Sequence, residues 1–580
     1  MKKLKYIKIL LFMGLLLNFS CGKDAINLDL TKDPNYLSED QVDPDYLLNA
    51  VQVRFGYMVE KYGLIGARLT RISHMSGRFY ENVYTPAQLD DEWRDAYADI
   101  FKDLNMMSTI AEEKSLNHHV AMGKVISAYT LMTLVDFFGD VPYSEAINED
   151  IIYPKPDSGA DVYAAAIQML DEAIALFEGD AGAEPKVDLF YDNDKIDVSQ
   201  DALEAWKAKW IKVANTLKMK AYMTTRLVDP DAMTKFNDIV TSGNYISDNS
   251  EDFQFAWGTN EINPDSRHPR YRDSYTSSGG QIYQSNSFMD YMTGLTDDAY
   301  LAPDHFDPRS LFYFYRQVSA TPGQAGEPAD EQLLECSVFP PPPHYAGYTY
   351  CGVPKGWWGR DHGNDRGIPP DGFKRTLYGV YPAGGALDDL SYQDKKNGDG
   401  YGGAGITPIM LASWVKFMIA EYDMVNSDVA NAKIHMFEGI DMSMDKVFNF
   451  KPTTPRFDYI FSGDPNLLPT IDEYATWFKA DLENDWDGAA STDEQWNILA
   501  RQYFVAMFGN GIDAYNFYRR TGFPHDLQPN LEPDPGPFIR SMYYPANTVN
   551  NNPNISQKST VAQQVYWDTN PPSPGFPVSN

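Results

Sequence analysis

Apolar residues recur at helical spacing over much of the chain. From Ser158 to Glu178, the residues Tyr163, Ile167, Leu170, Ile174 and Phe177 repeat at intervals of four and three, which marks one face of an amphipathic helix. From Ala202 to Val228, Trp206, Trp210, Val213 and Leu217 do the same, while Lys207, Lys209, Lys212, Lys218 and Lys220 lie mostly off that stripe. Tryptophans at this spacing read as core packing before they read as ligand contacts. Upstream, Thr85-Pro86-Ala87-Gln88 combines an N-cap threonine, a proline at the first helical position and a glutamine three residues on. The spacing predicts a helix from there to about Ser115, and a second from Asn117 to Phe138 makes a helical hairpin. Successive hairpins suggest stacking of solenoid type, although no strict 34-residue repeat is visible.

Between Asn249 and Gly405 the periodicity is lost. This stretch carries many of the glycines and prolines, including Pro340 to Pro343, and the pair Trp357-Trp358. An insert of that size is more often functional than accidental. Helices then resume, one opening at Thr407-Pro408 and running to about Tyr422, with capping boxes at Thr470 to Glu473 and Ser491 to Glu494 for later ones. After Pro524 the chain is rich in Pro and Asn, yet Tyr543, Tyr544, Tyr566 and Trp567 imply that it packs against the body.

The N-terminus has a pattern of its own. Lys2, Lys3, Lys5 and Lys8 precede an apolar stretch from Ile9 to Leu17, then Ser20 and Cys21. As a helix that stretch covers about 14 Å against about 30 Å of bilayer hydrocarbon, so it reads as an export signal, residues 1 to 20, and not as a membrane span. Cys21 is the candidate lipidation site, and residues 21 to 42 read as a polar tether spanning about 25 Å if flexible. Residues 43 to 580 then form a single domain carrying the insert at about 249 to 405. Beyond residue 20, 44 basic residues face 81 acidic ones, a side-chain balance of −37. Such a charge argues against nucleic acid and against anionic lipid headgroups as partners.

Two further cysteines, Cys336 and Cys351, lie in the Pro-, Gly- and Tyr-rich part of the insert. In an oxidising compartment the reading is one disulfide, worth about 3 kcal/mol. A metal site with His344 and His362 is the alternative, unsupported by any CxxC or HxxxH spacing.

Catalytic signatures are missing: there is no HExxH, no GxSxG and no P-loop. A GxGxxG pattern occurs at Gly398, Gly400 and Gly403, and again at Gly400, Gly402 and Gly405, but no buried strand precedes it. Asp394 to Gly400 has some calcium-loop character and fails as an EF-hand, since Lys395 would take the first ligand position; a surface turn is the better reading, with calcium as the alternative and no other cofactor implied. The insert offers more. Tyr345, Tyr348, Tyr350, Trp357 and Trp358 crowd together, followed by Arg360, His362, Asp365 and Arg366. Flat aromatic faces stack on sugar rings and neighbouring charges bind hydroxyls, so this is what a glycan platform needs. The competing reading is a small satellite core beneath a long loop.

Several segments resemble the SusD/RagB outer-membrane lipoproteins. Val125 to Tyr143 is similar to the family helix ending in an FGDVP turn, here Phe138 to Pro142, and Trp93, Tyr97, Ile100 and Asn105 resemble the helix before it. Pro408 to Glu421 resembles a helix ending in AE, with Tyr422 where alanine is usual. Arg519 to Pro524 resembles the RRTG-P segment, and Arg540 to Pro545 with Val565 to Asp568 resembles the C-terminal signature. The resemblance implies an all-α fold of divergent tetratricopeptide-like hairpins with long ligand-binding loops. It further implies a lipid-anchored protein of the outer-membrane cell surface, not an enzyme, acting as the lid of a SusC-like TonB-dependent transporter that imports an oligosaccharide or, in RagB-type members, a peptide; a surface glycoside hydrolase is a third reading. Family ligand residues have no fixed motif, so the candidates come from local composition: Trp357 and Trp358 as stacking platforms, Tyr348 and Tyr350 as walls, Arg360 and Asp365 as hydroxyl partners. Phe79 and Tyr80 join them because the family tends to use that loop.

Overall fold

The computed structural model describes residues 42–571 apart from 149, 192–195, 296–305, 323–333, 335, 337, 367–371, 373 and 452–469. The export signal, Cys21 and all of the tether but its last residue therefore lie outside the described residues. Helix α1, Pro44–Leu69, starts where the Asp43 carboxylate accepts the Asp45 N–H at 3.0 Å with Pro44 in the first turn. Its Gly66 leaves no room for a side chain, since a Cβ there would stand 2.1 Å from the Gly511 carbonyl oxygen. That close approach seats the start of a late helix directly on α1.

Thr85 opens the next helical stretch through its capping box with Gln88. The stretch runs unbroken to Glu113, passing through a π-helical turn at Asp95–Phe101 before α2, Lys102–Glu113. A π turn widens the helix by one residue, and here it buries Asp95, whose carboxylate holds Lys61 at 2.6 Å. Helix α3, Asn117–Phe138, is long and apolar enough to cross a bilayer, yet only Asn117, Lys124 and Ser127 keep partial exposure. It is the central helix of the core, hydrophobic all round because it is covered all round. Gly139 caps it at φ 83°, and the strand pair β1 Val141–Pro142 and β2 Pro156–Asp157 turns the chain into α4, Gly159–Glu178, which packs back along α3.

On α4 the buried stripe is Val162, Tyr163, Ala166, Leu170, Ala173 and Phe177, with Ile167 and Ile174 half-buried at its edge. Helix α5, Gln200–Thr225, buries Trp206, Trp210, Val213 and Leu217 as their spacing predicts. Both indoles donate to one Asp188 oxygen at 2.8 Å, so they are core residues with their polar edges satisfied. Helix α6, Ala232–Ser242, completes this half.

The insert is tied at its root. Strand β3, Phe253–Ala256, pairs antiparallel with β6, Ile406–Met410, so the chain leaves and re-enters the helical body at one ribbon. Between them lie α7, Asn286–Thr293, and the pair β4 Phe314–Tyr315 with β5 Leu377–Tyr378. The predicted helix start at Thr407-Pro408 is thus corrected: these residues are β-strand, and helix begins only with α8, Ala412–Val425. All five strand residues are buried, and the Thr407 hydroxyl is engaged by Glu60 and by the Trp257 indole at 2.9 to 3.0 Å, contacts that outweigh the local capping signal.

Helix α9, Val429–Phe448, folds back on α8; α10, Ile471–Gly488, α11, Thr492–Ala506, and α12, Ile512–Thr521, follow. Thr470 forms its capping box with Glu473, whereas at Ser491 the returning Glu494 carboxylate reaches the Ala490 N–H instead. One continuous core runs from Leu48 to Trp567 and includes insert residues such as Tyr313, stacked 4.4 Å from Phe508.

The segments that carry the family resemblance meet in this core. Arg520 clasps both oxygens of Glu421 at 2.6 to 2.7 Å. Asp136, in the helix before the FGDVP turn, accepts Asn516 at 2.6 Å and the Trp567 indole at 3.0 Å. Arg519 lies over Tyr515 and Trp567 and donates to the Arg540 carbonyl, while Arg540 pairs with Asp568. The irregular tail is held by these buried charge-assisted bonds.

Candidate ligand-binding cleft

A cleft of about 900 Å³ opens between the insert and the C-terminal helices. One wall is α7, with Ser287, Phe288, Asp290 and Tyr291; a second is the loop from Gly347 to Gly352 with Tyr348, Thr349 and Tyr350. The lining is completed by Phe478, Asp481, Leu482 and Asp485 of α10, by Asn497, Arg501 and Gln502 of α11, and by the turn holding Asp526 and Leu527. The volume is at the upper end of what a small-molecule site encloses.

The charged groups are held in place. The Arg501 guanidinium sits 4.6 Å above the Tyr291 ring and donates through Nε to Asp526 at 3.1 Å, while Asn497 donates to the other Asp526 oxygen at 3.1 Å. Gln502 donates to the Tyr291 hydroxyl at 2.9 Å and accepts from Arg309 at 2.8 Å. Burial pushes the Tyr291 phenol well above its ordinary range, so it stays neutral and can serve as a hydrogen-bonding group. The Thr349 hydroxyl donates to Asp290, tying the aromatic loop to α7.

Beneath the cleft lies a buried polar network. Asp361 accepts the Cys351 N–H at 2.7 Å, Asn286 at 3.1 Å and Gln528 at 3.2 Å, and so joins three lining segments through one carboxylate. Gln528 also donates to the Thr349 carbonyl, and its own carbonyl accepts from Arg71 at 2.8 Å. Arg71 reaches on to the Tyr80 hydroxyl at 3.0 Å, which meets His362 at 3.2 Å. Burial, with Arg71 and His74 adjoining, drives the His362 imidazole far below its ordinary range, so it sits in the network uncharged. Cys336 and Cys351 are joined in a disulfide with Cα atoms 5.6 Å apart, closing the loop that carries Tyr345, Tyr348 and Tyr350. Nearby His344 is bonded to the Asn530 backbone oxygen. Among the described residues no cluster of three His, Cys, Asp or Glu side chains could hold a metal ion. At Asp394 to Gly400 the Asp399 carboxylate accepts the Lys396 N–H at 2.7 Å, a surface turn.

Of the residues proposed from local composition, Tyr348 and Tyr350 line the cleft, with Tyr348 38% exposed. Trp357 and Trp358 do not; both are fully buried, which corrects their assignment as stacking platforms. Arg316 lies 4.6 Å over the Trp357 ring and Phe314 meets it edge-on at 5.9 Å, while Trp358 fills a satellite core with Leu334 and Cys351. A loop this rich in aromatics must bury some of them to hold its shape, and here both indoles and Tyr345 go inside. Tyr80 is likewise buried and serves the network. Arg360 stacks 4.0 Å over Tyr283, Asp365 pairs with Arg78 at 2.7 Å, and Phe79 is exposed; none of the three is in the cleft lining. Sequence reasoning missed Asp290, Asp481, Asp485 and Asp526, because nothing marks these four among 81 acidic residues before α7, α10 and α11 converge, and it missed Tyr291 and Arg501, which no local motif singles out.

A family model described as starch-binding, associating with outer membrane, matches residues 40–319, and one described as SusD and RagB outer membrane lipoprotein matches residues 404–565. The aromatic loop falls between the two matched stretches. Among solved structures, a SusD homolog from Bacteroides fragilis superposes with TM-score 0.59 at 18% identity, covering 91% of this chain and 99% of that one. A SusD homolog from Bacteroides uniformis gives 0.57 at 17% identity, covering 90% and 99%. A chitin-binding SusD homolog from Flavobacterium johnsoniae gives 0.57 at 16% identity, covering 91% and 98%. A search of curated proteins returns no match. With its helix-rich body, its motif segments clasped in one core and two family models spanning most of its length, the chain belongs to the SusD/RagB family.

Proposed function

We propose that this protein is a nutrient-binding lipoprotein of the cell surface that captures a glycan in the cleft without cleaving it and passes it to a SusC-like TonB-dependent transporter in the outer membrane. Residues 1–20 direct export, Cys21 carries the lipid, 21–42 form the tether and 43–580 the binding domain. The observation that carries the reading is the cleft itself: Tyr348 and Tyr350 supply ring faces, and the Arg501 guanidinium and the Asn497 amide are held fixed in the same lining. Rings beside preorganised donors suit the alternating apolar faces and hydroxyl edges of sugars. The chitin-binding homolog with the same fold supports a sugar ligand.

A peptide ligand is the second reading. Among the described residues the cleft lining has no indole and includes Asp290, Asp481, Asp485, Arg501 and amides, groups that suit a peptide backbone and its side chains. Calorimetric titration with a panel of oligosaccharides and of mixed peptides separates the two. Saturable binding of a sugar with no release of shorter products supports the proposal; binding of peptides alone overturns it. Retention of a Cys21→Ala variant in the membrane fraction would remove the lipid anchor from the reading.

A further inference from the structure

Phe339 is 42% exposed at the edge of the aromatic loop, outside the cleft lining. Its carbonyl oxygen accepts the Tyr350 hydroxyl at 3.3 Å, so its backbone stands one tyrosine length from the cleft wall. The Arg366 guanidinium lies 5.8 Å from the Phe339 ring. Tyr348, also exposed, continues the row inward, packed with Tyr350 around the buried Tyr345 at 6.1 to 6.3 Å.

This edge is rigid. The Cys336 to Cys351 disulfide encloses Phe339 and all three tyrosines, and Pro340 to Pro343 fix φ directly after Phe339. His344 bonds the Asn530 carbonyl at 2.9 Å and Tyr345 the Pro529 carbonyl at 3.1 Å, so the segment is anchored to the body behind it. An exposed ring on an anchored backbone, flanked by a guanidinium and continuous with aromatic walls, meets a ligand with little ordering left to do. The loop lies between the stretches that the two family models match, residues 40–319 and 404–565.

We propose that Phe339 and Arg366 form an outer subsite that holds the part of a saccharide chain extending out of the cleft, so that the protein selects oligosaccharides longer than the cleft itself accommodates. The proposal rests on the reading of the cleft as a glycan site. Phe339 stacks on the apolar face of the emerging sugar and Arg366 reaches its hydroxyls.

The test compares N-acetylglucosamine oligomers of two, four and six units, titrated by calorimetry into the full chain and into Phe339→Ala and Phe339→Trp variants with matched unfolding curves. The expected result is that wild type prefers the hexamer over the dimer, that Phe339→Ala weakens hexamer binding by about fivefold or more, the scale of one lost ring contact, with a smaller effect on the dimer, and that Phe339→Trp keeps the preference. An equal effect on all lengths, or none on any, overturns the outer subsite and leaves the cleft reading standing. A wild-type protein that binds none of the oligomers overturns the outer subsite, while the oligosaccharide and peptide panel decides the sugar reading separately.

Discussion

Asp361 is the residue on which the shape of the cleft turns, and its replacement has a calculable cost. It is fully buried and accepts at 2.7 Å from the Cys351 backbone, at 3.1 Å from Asn286 at the start of α7, and at 3.2 Å from Gln528 in the C-terminal turn. Asp361→Ala strands three buried donors. Each costs about 1–3 kcal/mol, and because they share one carboxylate the sum falls short of additive, giving an expected loss of about 3–4 kcal/mol. Asp361→Asn keeps the shape and one acceptor, but its amide must face either the Cys351 N–H or the side chains of Asn286 and Gln528, donor against donor. The expected cost is about 1.5–3 kcal/mol, one charge-assisted bond. Urea unfolding of the two variants against wild type reads these losses, and amide hydrogen exchange over residues 347–352 reads the loosening locally. Both variants should exchange faster there, with Ala faster than Asn, and both should bind the ligand less tightly. If Asp361→Ala unfolds within about 0.5 kcal/mol of wild type and the 347–352 amides exchange no faster, the network does not hold the aromatic wall and the reasoning fails.

Tyr348→Ala should weaken ligand binding by about 1 kcal/mol or more in calorimetry with unchanged unfolding, whereas Trp357→Ala should cost about 3–5 kcal/mol of stability in urea unfolding, since its ring is packed and not presented. Arg520→Ala leaves the Glu421 carboxylate buried with only the longer 3.4 Å contact to Arg226, and an expected loss of about 3–5 kcal/mol should show as a lowered urea midpoint. Acid should also destabilise the fold. Burial pushes His74 down to about 3 and His268 down to about 4, so below about pH 6.5 the unfolded chain binds protons that the folded chain refuses. Stability is then lost as pH falls through that window, by up to about 1.4 kcal/mol per pH unit for each histidine. Urea midpoints between pH 7.5 and 5 should fall, and His268→Gln should flatten the slope; an unchanged slope refutes the assignment.

The helices were legible because their signals are local. The box at Thr85, the stripe through Trp206 and Trp210, the Gly139 cap and the span from Asn117 to Phe138 all depend on residues within a few turns, and each stands where its spacing places it. Thr407-Pro408 shows the limit. Its capping pattern is real, but a strand about 150 residues earlier in the chain, Phe253–Ala256, pairs with it and buries all five residues. The motif segments announced the family because they are the core clasps, Glu421 with Arg520 and Asp136 with Trp567, and not because they touch a ligand.

The site was decided by tertiary structure alone. Local composition brought Tyr345, Tyr348, Tyr350, Trp357 and Trp358 together, and burial then divided them. Trp357 and Trp358 are packed inside, while Tyr348 and Tyr350 face the cleft, a choice made by Arg316, Phe314 and Leu334 from other stretches of chain. Arg501, Asp526 and Tyr291 come from three separate segments, and no spacing along the chain relates them. What neighbours in sequence can settle, capping, periodicity and turn geometry, the sequence by itself determined. Which side of an aromatic residue meets water depends on what packs against the other side, and that only the folded chain supplies.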